Sequence, residues 1–196
     1  MPQYFESDSS LKRNYKTIAC SFEGRVFSFL TCDGVFSKDG VDPFSLILLE
    51  YARDAGVSGD VLDLGCGYGA VGIIAAKAFP GVVLCQSDIN RTAVELAMEN
   101  ARRNGVGSRV VQSDGYCGID GRFDWVLMNP PIHAGKASVY RLFGETRAHL
   151  KDGGKLMVVI HKKHGAESAL RELGEIYGEV EVLYRKKGLY VIVCGG

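Results

Sequence analysis

The strongest constraint on the fold is an alternation along the chain. Short runs rich in β-branched and apolar residues occur at Asp60–Leu64, Val82–Gln86, Arg109–Gln112, Phe123–Met128 and Lys155–Ile160. Between them lie longer segments with helical spacing, at Ala70–Phe79, Arg91–Asn104, Lys136–Leu150 and Ala166–Tyr177. In Arg91–Asn104 the spacing predicts a buried stripe of Val94, Ala97, Met98 and Ala101. Strands this uniformly apolar are covered on both faces, so the pattern predicts an α/β fold with a parallel sheet between helices. The end of the chain departs from it. Glu179–Tyr184 and Leu189–Cys194 are separated only by Arg185–Gly188, too short for a crossover helix, which makes this pair antiparallel. Upstream, Cys20–Leu30 predicts a β-hairpin around Glu23-Gly24, and Asp42–Arg53 a helix. Residues 1–57 therefore read as an N-terminal extension with a lead-in helix, and 58–196 as the core of a single domain.

Charge and cysteine usage narrow the function classes. Lys+Arg and Asp+Glu each count 23, which excludes a polycation that grips nucleic acid by charge alone but leaves room for a basic face. No apolar run is long enough to span a bilayer, and the polar N-terminus lacks a signal-peptide core. The cysteines at 20, 32, 66, 85, 117 and 194 form no C-x-x-C pair and read as free thiols of a cytoplasmic protein, with no metal site.

Asp63-Leu64-Gly65-Cys66-Gly67-Tyr68-Gly69 ends the first core strand and opens a helix. Glycines belong where a backbone turns sharply and a ligand approaches the main chain. The N–H groups of the turn and helix start then face that ligand. Asp88 closes the next strand about 20 residues on, where a carboxylate can accept both hydroxyls of a ribose. Asp114 follows the third strand, placed to accept from an adenine amino group. Gly67–Gly72 also satisfies G-x-G-x-x-G, so an NAD-linked oxidoreductase stays open. Asp63 argues against it: a fixed anion repels a pyrophosphate and suits the ammonium and sulfonium of S-adenosylmethionine.

Val61–Gly69 (VLDLGCGYG), Asp88 and Asn129-Pro130-Pro131, in that order, make residues 58–196 resemble the class I S-adenosylmethionine-dependent methyltransferases. Asp33–Asp42 (DGVFSKDGVD) and Asn129–Lys136 (NPPIHAGK) look like the RsmC-like group among them. Members of that group methylate the exocyclic N2 of a guanine in small-subunit ribosomal RNA. The resemblance implies a Rossmann-like, seven-stranded sheet whose last strand is antiparallel, in agreement with the C-terminal pair. Typical bacterial members carry a degenerate extra N-terminal domain, for which this chain is too short. It also implies S-adenosylmethionine as cofactor, with Asp63, Gly65, Gly67 and Gly69 on its methionine side, Asp88 on the ribose and Asp114 on the adenine. Cys66, Ile89 and Asn129 would complete the cofactor contacts.

Asn129-Pro130-Pro131 carries the chemistry. A ring-attached amino group is a poor nucleophile because its lone pair is delocalised into the ring. The Asn129 side-chain oxygen and the Pro130 carbonyl, which a proline-rich turn leaves without a partner N–H, can each accept one of its hydrogens. That aims the lone pair at the methyl carbon, and such positioning is worth up to about 7–11 kcal/mol. A rigid turn is the plainer reading of the motif. Many amino-methylating relatives carry an aromatic residue after the second proline to stack on the target; here Ile132 follows Pro131. Adenine, cytosine and a protein glutamine amide therefore stay open beside guanine, as does a non-catalytic binding module. Phe36 is either a substitute stacking face or a core aromatic. His133 and Lys136 are either substrate contacts or helix-start residues. Lys38, and Lys162 and Lys163 within His161–His164, supply cations suited to RNA phosphates, as does Arg185–Lys187. Arg102-Arg103 reads as a helix end, Trp125 as core and His149 as surface.

Overall fold

The computed structural model describes residues 13–196. The chain opens with an antiparallel hairpin, β1 (Lys16–Phe22) and β2 (Arg25–Thr31). Glu23 and Gly24 form its two-residue turn, both with positive φ, the conformation that matches the twist of paired strands. Helix α1 (Pro43–Asp54) follows, with Asp42 as its N-cap: the carboxylate accepts from the Ser45 backbone N–H at 2.9 Å, and Pro43 takes the first helical position.

The core alternates as expected: β3 (Gly59–Leu64), α2 (Ala70–Ala78), β4 (Val82–Asp88), α3 (Arg91–Arg103), β5 (Ser108–Gln112), β6 (Phe123–Met128), α4 (Lys136–Ala148), β7 (Leu150–His161), α5 (Ala166–Ile176), β8 (Glu179–Lys186) and β9 (Leu189–Gly195). The sheet has seven strands in the order β5-β4-β3-β6-β7-β9-β8. All pairs are parallel except those of β9, which runs antiparallel to both β7 and β8. A tight turn at Lys187-Gly188 makes that reversal. The fold is the expected Rossmann-like one. Strand β7 begins at Leu150, earlier than its apolar run, because Leu150 pairs with Phe123 before a bulge sets the main register.

Period-two alternation splits the core into two layers. Val61, Leu127 and Met157 face α1 and α2, joined by Phe27 and Phe29 of the hairpin. Leu62, Val126, Met128, Leu156 and Val158 face α4 and α5. Chain order reverses on either side of β3, which places the ligand crevice beyond the carboxyl ends of β3 and its neighbours.

Three expectations need correction. Met98 is 57% exposed, not part of the buried stripe. Helix α3 lies against the sheet on one side and β2 on another, so its buried face is broader and turned, running through Ala93, Leu96, Ala97 and Asn100. Asn100 and Asn104 act as a surrogate strand on the open edge of β2. Asn100 Oδ1 accepts from Leu30 N–H at 2.7 Å, and its Nδ2 donates to the carbonyls of Leu30 and Tyr68, each at 2.9 Å. Asn104 does the same for Ser28, at 3.2 and 2.8 Å. His149 is half-buried, stacked on Tyr116 with centroids 4.1 Å apart. Trp125 is only partly buried, beneath the Lys155 ammonium. The cysteines are free: four are buried, Cys20 is half-buried and Cys117 is exposed. Among the described residues, no helix is long and apolar enough to cross a membrane.

Candidate active site

The loop after β3 turns through Gly65, Gly67 and Gly69, all with positive φ, a region that only glycine enters freely. The N–H groups of Gly65 and Cys66 both donate to the Ser87 carbonyl at 2.9 Å, which locks the loop to the end of β4. Gly72, one turn into α2, is needed for close approach. A Cβ there would stand 3.0 Å from the Asp63 side chain. Without it, Gly72 N–H reaches Asp63 Oδ2 at 2.8 Å.

Asp63 is 3% exposed, and burial pushes its pKa up to about 7, against the hydrogen bonds from Gly72 and, at 3.4 Å, Gln86 Nε2. Both donors bind Oδ2; Oδ1 accepts from no described residue. A carboxylate this buried and half-satisfied is built to receive a cation. Asp88 is raised too, chiefly by burial, while N–H groups of Asn90, Gly67 and Ile89 favour its ionised form. Its Oδ2 accepts from Gly67 N–H and its Oδ1 from Asn90 N–H, each at 2.8 Å. Each oxygen keeps a lone pair, which suits a pair of adjacent hydroxyls. Burial also lifts the Cys66 thiol well above its ordinary range, so it lines the loop as a neutral group.

These residues open onto one cavity of about 660 Å³. Of the residues singled out from the sequence, Asp63, Gly65, Cys66, Gly67, Asp88, Ile89, Asp114, Asn129, Pro130, Pro131, Ile132, His133 and Phe36 line it. Gly69 does not. A Cβ at Gly69 would come within 2.9 Å of Gln86 and 3.2 Å of Ala97, so it packs the loop against α3 instead. Asp114 is not a free acceptor: its Oδ1 pairs with Arg141 at 2.5 Å, leaving one oxygen for an amino group. The other cations stand outside the lining. Lys38 pairs with Asp33 at 2.5 Å, Lys136 sits 4.9 Å over the Tyr140 ring, Lys162 pairs with Glu167 at 3.3 Å, and Lys163 is exposed. Lys162 N–H donates to the Gly188 carbonyl at 2.6 Å, which brings the turn bearing Arg185–Lys187 to the same rim.

The Asn129 amide has a fixed orientation. Its Nδ2 donates to Asp42 Oδ2 and Ser45 Oγ, each at 3.0 Å. A carboxylate oxygen can only accept, so the opposite flip would set oxygen against oxygen. Both hydrogens are therefore used, and Oδ1, which accepts from no described residue, is left to the cavity. The Pro130 carbonyl differs from expectation. Pro131, with φ −73° and ψ 78°, closes an inverse γ-turn in which Ile132 N–H donates to Pro130 O at 2.8 Å. One lone pair remains for a ligand.

Sequence reasoning missed Asp42, Ser45, Phe44 and Arg141, and did not single out Tyr68 within the loop or His164 within His161–His164; all six line the cavity. Tyr68 Oη donates to the carbonyls of Ser37 and Gly40 and, with Asn90 Nδ2 on the Gly34 carbonyl, ties the 33–42 segment over the loop. Phe36 projects from that segment, 52% exposed. The D-x-x-S helix start at Asp42 was the one legible signal, and it pointed to a cap. Among the described residues, no cluster could hold a metal ion.

The methyltransferase small domain family matches residues 26–193. The chain belongs to that family. Among similar proteins, the uncharacterized protein YbxB of Bacillus subtilis is 40% identical over 192 residues, 96% of each chain. Ribosomal RNA small subunit methyltransferase C of Serratia proteamaculans is 38% identical over 133 residues, 66% of this chain and 38% of that one. The Thermus thermophilus 16S rRNA N2 G1207 methyltransferase, solved with AdoMet and guanosine, superposes with a TM-score of 0.83 at 26% identity. That alignment covers 92% of this methyltransferase small domain chain and 50% of the other.

Proposed function

We propose that this protein transfers a methyl group from S-adenosylmethionine to an amino group of RNA, the exocyclic N2 of a guanine in small-subunit ribosomal RNA, in the cytoplasm. The observation that carries the reading is the fixed flip of Asn129: a site whose amide offers only an oxygen accepts a hydrogen-bearing nucleophile. When bound, S-adenosylmethionine supplies a methyl group on a sulfonium that departs as a thioether. Asp63 would hold its ammonium, Asp88 its ribose hydroxyls and the second oxygen of Asp114 its adenine amine. The half-satisfied, buried Asp63 fits that ammonium and would repel a diphosphate. Asn129 Oδ1 and the spare lone pair of Pro130 O hold the two amine hydrogens, which turns the nitrogen lone pair away from the ring. The proton becomes acidic as the nitrogen is alkylated and passes to solvent, so no strong base is required.

Guanine and RNA are supported by the relatives that act on small-subunit ribosomal RNA and by the guanosine bound to the Thermus enzyme. Phe36 and Ile132 supply faces for the base; His133 lines the cavity, and Lys136, Lys162, Lys163 and Lys38, outside the lining, would meet the RNA backbone. Because Ile132 replaces the usual aromatic residue, methylation of another amine is the second reading. The test is mass spectrometry of ribosomal RNA from a strain lacking the gene and from its parent. One guanine methyl lost, and restored by the purified protein with labelled S-adenosylmethionine, is the expected result. Identical methylation in both strains, with no transfer in vitro, would overturn it.

A further inference from the structure

The N-terminal extension contributes a carboxylate, the last residue of the Asp33–Asp42 segment, to the acceptor end of the cavity, and the transfer chemistry above gives it no role. Asp42 caps α1, lines the cavity and touches Asn129. Its bonds are unevenly divided. Ser45 N–H, at 2.9 Å, and Asn129 Nδ2, at 3.0 Å, both bind Oδ2. Oδ1 accepts from no described residue. Capping and holding the amide therefore use one oxygen and leave the other. Asp63, Asp88 and Asp114 belong to the loop and strand ends of the cofactor side, so Asp42 is the carboxylate beside the amide that orients the nucleophile.

We propose that Asp42 is a specificity-determining residue: its free oxygen accepts the ring N–H next to the amine being methylated, and so selects guanine. The inference rests on the amine-methylating reading above and deepens it. Guanine presents N1–H and the N2 amine side by side, two neighbouring donors. Asn129 and Asp42, joined through Nδ2 and Oδ2, each bring an Oδ1 acceptor to the same cavity. Adenine and cytosine also carry an amine, but the ring nitrogen beside it is a bare lone pair. Against a carboxylate, that lone pair loses a hydrogen bond and gains a repulsion. Sites built to hydrogen-bond a substrate group reject analogues lacking it far more strongly than apolar pockets reject a change of shape. Asp42 can thus serve both ends of one contact, fixing the amide and reading the base.

The test uses an RNA spanning the methylated nucleotide, with guanine or 2-aminopurine at that position. The two bases carry the amine in the same place, but N1 of 2-aminopurine has no hydrogen. The wild-type protein should favour guanine in kcat/KM by about 100-fold or more. In Asp42→Asn the cap is kept, because asparagine caps as well as aspartate, and the new amide can turn its NH2 toward N1. That variant should bring the ratio to within about tenfold, mainly by losing activity on guanine, with S-adenosylmethionine affinity and melting temperature unmoved. Other residues can read the guanine O6, so the collapse of the ratio in the variant is the diagnostic result. An unchanged ratio in Asp42→Asn, or equal rates in the wild type, would overturn the proposal while leaving amine methylation standing. Failure to methylate guanine at all, with transfer to a different amine, would sink the proposal and the guanine reading together, and absence of any transfer would sink amine methylation itself.

Discussion

Two sets of asparagines in this protein do opposite jobs with the same amide. Asn100 and Asn104 are buried, and the oxygen and nitrogen of each are matched to backbone groups of β2 and its surroundings. They hold β2 on the side where no further strand pairs with it among the described residues. Asn129 is half-buried; its nitrogen is matched on both sides and its oxygen on neither. The difference separates fold from function. Polar atoms with every valence used maintain structure, whereas polar atoms held in place with one valence unused sit on the cavity. Asp63 and Asp42 belong with Asn129, since each binds its protein donors through Oδ2 and leaves Oδ1 over.

The largest effect should come from Asn129→Ala. Removing one preorganised polar group from a reacting centre typically lowers turnover about 10²–10³-fold. Here methyl transfer should fall at least that far. Calorimetric affinity for S-adenosylmethionine should stay within about twofold. Losing the Nδ2 bonds to Asp42 and Ser45 should cost about 1–3 kcal/mol of stability, so transfer is to be compared at equal folded fraction. Full activity would place Asn129 with Asn100 and break the comparison.

Asp63→Asn should separate binding from stability in one residue. Affinity for S-adenosylmethionine should drop by about 100-fold, near 3 kcal/mol, through loss of the ammonium partner. The cofactor-free protein should gain stability. In the folded chain this carboxyl keeps its proton to about pH 7, against an ordinary value of 3.8. A raised pKa of this kind gives stability that is complete below the ordinary value and is lost as pH rises through the folded one. Between pH 4 and pH 7, wild type should lose up to about 4 kcal/mol relative to the variant, which has no carboxyl to ionise. Denaturant melts of both proteins without cofactor at pH 4.5 and pH 8 would show it. Parallel pH profiles would mean that the buried carboxyl finds a partner for its second oxygen.

Asn100→Ala makes the converse case. It strands the N–H and C=O of Leu30 and the C=O of Tyr68, and each buried orphan costs about 1–3 kcal/mol. A net loss of about 2–4 kcal/mol by chemical denaturation is expected. Transfer by the fraction still folded should be close to normal. A collapse of turnover without a loss of stability would mean that the hairpin acts on the site directly.

The sheet was legible because its signals are local and redundant. Each parallel strand is an apolar run, each helix has its own period, and Arg185–Gly188 is too short for anything but a reversal. The loop end of the cavity was legible for a similar reason: Asp63, Gly65, Gly67 and Asp88 lie at strand ends whose positions follow from the alternation. The Asn129 end of the cavity was only half visible. Asn129 carries a motif, but Asp42 and Ser45 meet it across 87 and 84 positions of chain, and nothing local distinguishes their contact from a helix cap. The Pro130 carbonyl was misread because the loss of proline N–H groups was counted without the γ-turn that Ile132 closes. The ion pairs of the cations were not legible, since Lys38 and Lys162 are held by carboxylates that no sequence spacing announces.

The smallest effect tests where the periodicity of α3 failed. Spacing alone puts Met98 with Val94, Ala97 and Ala101, yet it is exposed while Leu96 and Asn100 are buried. The cause is a second neighbour. A helix on a sheet buries one stripe, but a helix that also supports β2 buries a wider arc, and the polar Asn100 and Asn104 lie in the part that stripe-reading counts as surface. Met98→Gln should therefore change stability by less than about 0.5 kcal/mol, as an exposed substitution between good helix formers does. A buried methionine replaced by glutamine would lose apolar burial and bury an amide, for about 2 kcal/mol or more. A loss of that size would put the stripe back where the spacing drew it. The amides of Asn100 and Asn104 would then no longer belong to the structural set against which Asn129 stands out.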